Sequence, residues 1–219
     1  MCDEVETSRE HAPPRCLFPT EAEAGRNLRV NLITVPSCDR HNSEKSTDDE
    51  FFRAIVLGIA AHNSPVAADH FRGKLLRAAA RNPTTYGTYF DEQGQVHKGA
   101  FRVLKIDRTR LDACLVHIAR ALYFHATKQK WWLPIYPISP NLFSETKNDA
   151  PQPHALSKDG IALAREYLSG TPIQGSNPEV FRYRMKCDDI QKIFVLAAIF
   201  YESFEIFCYS SKAMAEAAI

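Results

Sequence analysis

The sequence predicts an α+β protein in which a small, irregular N-terminal module packs on a helical region that is followed by a C-terminal antiparallel sheet. Three observations carry this expectation. The first 46 residues lack regular patterning and are rich in Pro, Cys, His and Asn. In "RTRLDACLVHIARALYFHATKQK", Leu111, Cys114, Leu115, Ile118, Leu122 and Phe124 recur at helical spacing. The chain then closes on "FRYRMKCDD" and two apolar runs, which read as three strands.

Each element has a local reason. "LRVNLITVPS" (Leu28–Ser37) holds β-branched residues and ends beside Pro36, which predicts a short strand. In "STDDEFFRAIVLGIAAHN", Thr47 is followed three positions on by Glu50, a capping-box pattern before an apolar run. It predicts a helix over Asp48–His62 with Phe51, Phe52, Ile55, Val56 and Ile59 on one face. A second helix is expected over Pro65–Arg81, with Phe71, Leu75 and Leu76 inward and Arg72, Lys74, Arg77 and Arg81 outward. The stretch "TYGTYFDEQGQVHKGAFRVLKID" alternates about a turn at Asp91–Gly94 and predicts a hairpin. Residues 134–178 read as a long connection with one weak helical stretch, "SKDGIALAREYLSG". The expected division is a module over residues 1–62 and an extension over 63–219, packed as one unit.

At 219 residues, 45% hydrophobic and 24% charged, the chain is expected to be soluble and globular. The most apolar stretch, "IFVLAAIFYESFEIFCYSS", is broken by Glu202 and Glu205, so no membrane span is expected. The opening "MCDEVETSREH" is acidic and polar, unlike a secretory leader. The six cysteines are therefore expected as reduced thiols in a cytoplasm, serving as core residues or metal ligands. A net charge of +1 gives no support to a dedicated nucleic-acid binder, although a local basic stripe would suffice.

The chemistry-bearing residues fall in the N-terminal module. Glu10 and His11 precede a Pro-Pro corner in "EHAPP". Asn31 stands in "NLITVPSC", and "CDRHNSEK" carries Cys38, His41, Asn42 and Lys45. Singly these residues mean little: a Glu-His dipeptide is usually surface, Asn before a strand is a turn former, and a lone Cys is a small buried hydrophobe. Their joint order and spacing resembles the HNH nuclease family, over about residues 2–60. That family's ββα-metal fold is a β-hairpin followed by a helix around one divalent ion. An acid-His pair comes first, commonly followed by Pro; an Asn opens the second strand; a Cys-x-x-Cys-His or Cys-x-x-Cys-Asn string, often trailed by Lys, starts the helix.

The resemblance implies a metal-dependent endonuclease that hydrolyses phosphodiester bonds of DNA. Such hydrolysis needs a deprotonated water, a cation to bear charge on the phosphate, and fixed geometry. His11 would be the general base, since neutral imidazole accepts a proton near neutrality. Glu10 and Asn42 would offer oxygen ligands to Mg²⁺ or Mn²⁺. Uncharged Asn31 would orient the loop carrying His11. Either His41 or Asn42 fits the last ligand position; Asn42 is favoured, because His41 then stands where the family has its second knuckle Cys. A structural Zn²⁺ on Cys2, Cys38 and His41 has an incomplete ligand set, because the partner of Cys2 would precede Met1.

Other features read as structural. His62, His70, His97, His117 and His125 are scattered, and His117 and His125 are too far apart to share a metal. Trp131-Trp132 is expected to pack under the long connection rather than stack on a base. The Arg72, Lys74, Arg77, Arg81 stripe is a solvated helix face, or a phosphate-binding one if it flanks the site. The rival to a nuclease is an HNH-like scaffold without catalysis that binds nucleic acid or protein. The sequence leaves the oligomeric state open.

Overall fold

The computed structural model describes residues 5–38, 45–89, 106–142 and 158–217. The architecture is mixed α+β, with a two-stranded ribbon, a group of helices and a five-stranded antiparallel sheet. Cys2, His41, Asn42, most of the expected Thr85–Asp107 hairpin and residues 143–157 lie outside the described residues.

The ribbon pairs β1 (Ser8–His11) with β2 (Thr34–Ser37), setting Glu10 opposite Val35 and His11 opposite Thr34. The expected strand from Leu28 is thereby shortened. Asn31 has φ 49°, in the left-handed region that a strand does not use, so regular pairing starts at Thr34. One further rung, the Ala12 amide donating to the Ile33 carbonyl at 3.0 Å, carries the pairing beyond His11. Pro36 is tolerated in β2 because a two-stranded ribbon leaves each strand an open edge.

The loop between the strands holds a 3-10 turn at Arg15–Leu17 and a short helix, α1 (Glu21–Ala24). A capping box starts α1: the Thr20 amide donates to Glu23 Oε2 at 2.8 Å. Gly25, at φ 69°, ends it.

The box expected at Thr47–Glu50 is not formed. Helix α2 (Ser46–Ala60) is entered from Lys45 with no side-chain cap. Asp48 and Asp49 in its first turn suit the positive end of the helix dipole, while Glu50 turns to Arg53 and Tyr86. Phe51, Phe52, Ala54, Ile55, Val56, Leu57 and Ala60 are all buried, so α2 is a central helix rather than an amphipathic surface one.

The expected 65–81 helix forms in two parts. Ser64 caps α3 (Pro65–His70), a π turn spans Phe71–Leu75, and α4 (Leu76–Arg81) comes next. The π turn adds a residue and so rotates α4 relative to α3. Leu75 is consequently 2% exposed and Leu76 49%, correcting the expectation that both face inward. The start of the expected hairpin is also corrected. Pro83–Tyr89 is helical (α5), with Pro83 at the first position, where its fixed φ and missing N–H suit a helix.

Helix α6 (Arg108–Thr127) matches its periodicity, capped by Asp107, whose carboxylate accepts from the Arg110 amide at 3.0 Å. The sheet comprises β3 (Tyr136–Ile138), β4 (Gln174–Asn177), β5 (Phe181–Asp188), β6 (Ile193–Phe200) and β7 (Phe204–Ser211), in spatial order β3-β7-β6-β5-β4. The three expected strands are β5 to β7; β3 and β4 add edges from the segment read as a connection. Helix α7 (Lys158–Tyr167) covers part of the outer sheet face, and α8 (Lys212–Ala217) ends the described chain.

One apolar cluster joins Leu17, Phe18 and Leu28 of the ribbon loop to α2, α6 and the inner sheet face. Trp131 lies inside it and donates from Nε1 to Ser210 Oγ at 3.0 Å. No described helix is long and apolar enough to cross a membrane.

Candidate active site at the ribbon

Glu10 and His11 stand at the end of β1, on a ribbon backed by α6. Ala121 of α6 packs beneath Ala12 and Val35, flanked by Ile33 and Phe124. Small residues at that contact let helix and ribbon approach closely. Successive strand residues leave on opposite faces, yet one cation addresses both. Lys45 Nζ, at the entry to α2, lies 3.5 Å from Glu10 Oε2 and acts electrostatically on His11. The Lys45 and Glu10 side chains are only 10% and 19% exposed, so water screens the pair less than a surface salt bridge. Lys45 also reaches Asp49 Oδ1 at 3.8 Å, one turn along α2.

The electrostatics are set by burial and by a surplus of nearby cations. Burial holds the His11 imidazole below its usual value, and Arg15, Lys45 and Arg29 push in the same direction. His11 is therefore neutral at neutral pH, the form that can accept a proton. Burial pushes the Asp49 carboxyl up to about 6, with Glu10, Asp48 and Glu50 adding to the rise and Lys45 opposing it. His117, on α6, is exposed by surface area yet crowded enough that desolvation lowers its pKa; Lys45 lowers it further and Glu10 opposes. Sequence spacing set His117 aside as scattered, because only the docking of α6 on the ribbon brings it within range. Lys45 had a signal, as the lysine trailing the third motif block.

The loop after His11 is held from behind. Tyr201, at φ 48° between β6 and β7, donates its hydroxyl proton to the Leu17 carbonyl, and His70 Nδ1 lies 2.8 Å from the same hydroxyl oxygen. The Tyr201 proton is thus committed, so His70 must donate from Nδ1. Its Nε2 is then a bare lone pair, buried without a partner among the described residues. With the ring 1% exposed, burial pushes the His70 pKa down to about 4. Neither His70 nor Tyr201 carried a sequence signal, since each contacts a segment distant in the chain.

Asn31 is exposed and borders a small cleft with Ala12 and Pro13. Its side chain makes no hydrogen bond among the described residues. The loop beside it is instead held by buried Asn177 of β4, whose Nδ2 donates to the Val30 carbonyl at 2.9 Å. The stripe on the π turn and α4 is solvated. Arg72, Arg77 and Arg81 are exposed, Lys74 is half-buried, and Arg72 pairs with Asp69 at 3.6 Å. A groove of about 420 Å³ on the outer sheet face, bordered by Arg165, Arg182 and Arg184, shares no lining residue with the ribbon.

The donor chemistry fits a hard cation in part. Glu10 supplies a sheltered carboxylate whose present counterion is an ammonium, so positive charge is already favoured there. Magnesium takes one or two protein oxygens and fills its shell with water and phosphate, and the second oxygen, on Asn42, is outside the described residues. No group of three metal-ligating side chains occurs among the described residues. Of the zinc set, Cys38 is buried at the end of β2. Cys16 does not extend that set: its thiol donates to the Asp49 carbonyl at 3.3 Å, and burial pushes its pKa up to about 12.

Comparison of the chain with protein-family profiles, with curated proteins and with solved structures returns no match.

Proposed function

We propose that the ribbon and α2 form an HNH-type ββα module and that the protein is a metal-dependent endonuclease hydrolysing phosphodiester bonds of DNA. The observation that carries this reading is the Lys45–Glu10 contact at 3.5 Å, which joins the first and third motif blocks across the ribbon. Strands β1 and β2, joined by a loop that carries the 3-10 turn and short helix α1, also precede helix α2 in the order the resemblance implies.

In this reading His11, neutral near pH 7, accepts the proton released by the attacking water. Glu10 and Asn42 would hold Mg²⁺ or Mn²⁺, which when bound supplies positive charge to the phosphate and the leaving oxygen. The rigid Pro13-Pro14 corner and the Tyr201–Leu17 bond keep the segment after His11 from shifting during the reaction. Lys45 holds the Glu10 side chain in place through their 3.5 Å contact.

The test is cleavage of plasmid DNA with Mg²⁺ or Mn²⁺, with and without chelator, by wild type and His11→Ala. Loss of a general base costs about 10²- to 10⁴-fold. Equal cleavage by both proteins removes His11 from the mechanism. The second reading, a non-catalytic scaffold that binds nucleic acid or protein, draws on the same ion pair, since Lys45 already gives Glu10 a counterion. In that case neither protein should show chelator-sensitive cleavage.

A further inference from the structure

Two guanidinium groups flank the proposed site, and neither forms an ion pair among the described residues. Arg15 opens the 3-10 turn directly after the Pro-Pro corner that succeeds His11; it is exposed, and its side chain makes no ion pair or hydrogen bond among the described residues. Arg29 comes from the far end of the loop and donates from Nε to the carbonyl of Phe18, the residue that closes the same turn, at 2.9 Å. That bond fixes the guanidinium plane against the turn and leaves both terminal nitrogens without a partner among the described residues.

The two groups feel each other, and both act on His11. The carboxylate within electrostatic range of Arg29 is Glu23, which caps α1, accepting from the Thr20 amide at 2.8 Å and the Thr20 hydroxyl at 2.9 Å, and forms no ion pair with either guanidinium among the described residues. Two guanidinium groups facing one carboxylate leave a surplus of positive charge at this turn, which favours an anion there.

We infer that Arg15 and Arg29 form a phosphate clamp that grips the nucleic-acid backbone next to the phosphodiester presented to His11. The planar fork of arginine suits this task, because it donates two parallel hydrogen bonds to phosphate oxygens. The inference rests on the nuclease reading for what lies beside the clamp, but its own content is phosphate binding.

The experiment measures binding of a fluorescently labelled DNA duplex by anisotropy in the His11→Ala background with chelator, so that no cleavage intervenes, from 50 to 200 mM salt. Removing one phosphate-binding cation reduces the slope of log affinity against log salt by about 0.9. Arg15→Ala and Arg29→Ala should each show that drop and the double variant about twice it, with Arg15→Lys recovering most of the slope. Lys212→Ala, on α8, should leave it unchanged. Melting curves check that Arg29→Ala is folded, and Arg15→Ala, which removes no internal bond, keeps the test open if it is not. An unchanged slope in folded Arg15→Ala and in the double variant overturns the clamp, and if plasmid cleavage still depends on His11 the nuclease reading survives it. A reduced slope without any cleavage by wild type upholds the clamp and removes the nuclease reading.

Discussion

Lys45 Nζ lies 3.5 Å from Glu10 Oε2, and this pair links the start of helix α2 to the ribbon. It ties the residue proposed as a metal ligand to the start of helix α2, and its ammonium also acts on His11.

Removing that ammonium should have two linked effects. Lys45→Met leaves Glu10 without its counterion, so a divalent ion should bind more tightly; one charge at this range is worth about 1 kcal/mol or more, and the metal concentration for half-maximal cleavage should fall about fivefold. It also removes a cation that lowers the His11 pKa. The base must be neutral to act, so the acidic limb of the pH–rate profile should move to higher pH. A profile unchanged in both respects would detach Lys45 from the site.

Stability should carry an acid transition from His70. Its folded pKa of about 4 lies below its ordinary value, so the fold favours the neutral ring. The full contribution is present above about pH 6.5 and is lost as pH falls towards 4, amounting to about 3 kcal/mol at the limit. Thermal melts at pH 7 and pH 4 should show a larger loss for wild type than for His70→Gln, which cannot take up that proton.

Tyr201→Phe should deprive the Leu17 carbonyl and His70 Nδ1 of their shared partner. Two buried groups deprived of a hydrogen bond should cost about 1–3 kcal/mol in denaturant unfolding. Cleavage should fall as well, because the loop behind His11 is no longer supported.

Phe52 is fully buried and meets Phe200 edge-to-face at a centroid distance of 5.5 Å, joining α2 to the sheet. Phe52→Ala should cost about 3–5 kcal/mol, measured by chemical denaturation. A loss below about 1 kcal/mol, the scale of a surface substitution, would mean that α2 and the sheet are not joined through this pair of rings.

The range of each interaction decides how much of the molecule is legible in the chain. Helices α2 and α6 and strands β5 to β7 announce themselves, because periodicity over eight or more residues is a local property. Strands β3 and β4 do not; they are three and four residues long and are defined by partners far along the chain. The alternation at "TYGTYF" misleads because Pro83 starts a helix there, with the Tyr86 hydroxyl donating to Glu50 at 2.9 Å. Asn31 reads as the opening of a strand, but its left-handed backbone delays pairing by three positions. At the site, Glu10, His11 and Lys45 are visible as motif letters. Arg29, His117 and Tyr201 are not, since each reaches the ribbon only through tertiary packing.

Convergence of Glu10 and Asn42 on one divalent ion beside His11 is the central claim, and the most direct measurement is titration of the intact protein with Mn²⁺, monitored by electron paramagnetic resonance. One tight site per chain is expected, lost in Glu10→Ala and in Asn42→Ala and kept in Arg72→Ala. Binding that is absent, or that is indifferent to Glu10 and Asn42, would contradict it.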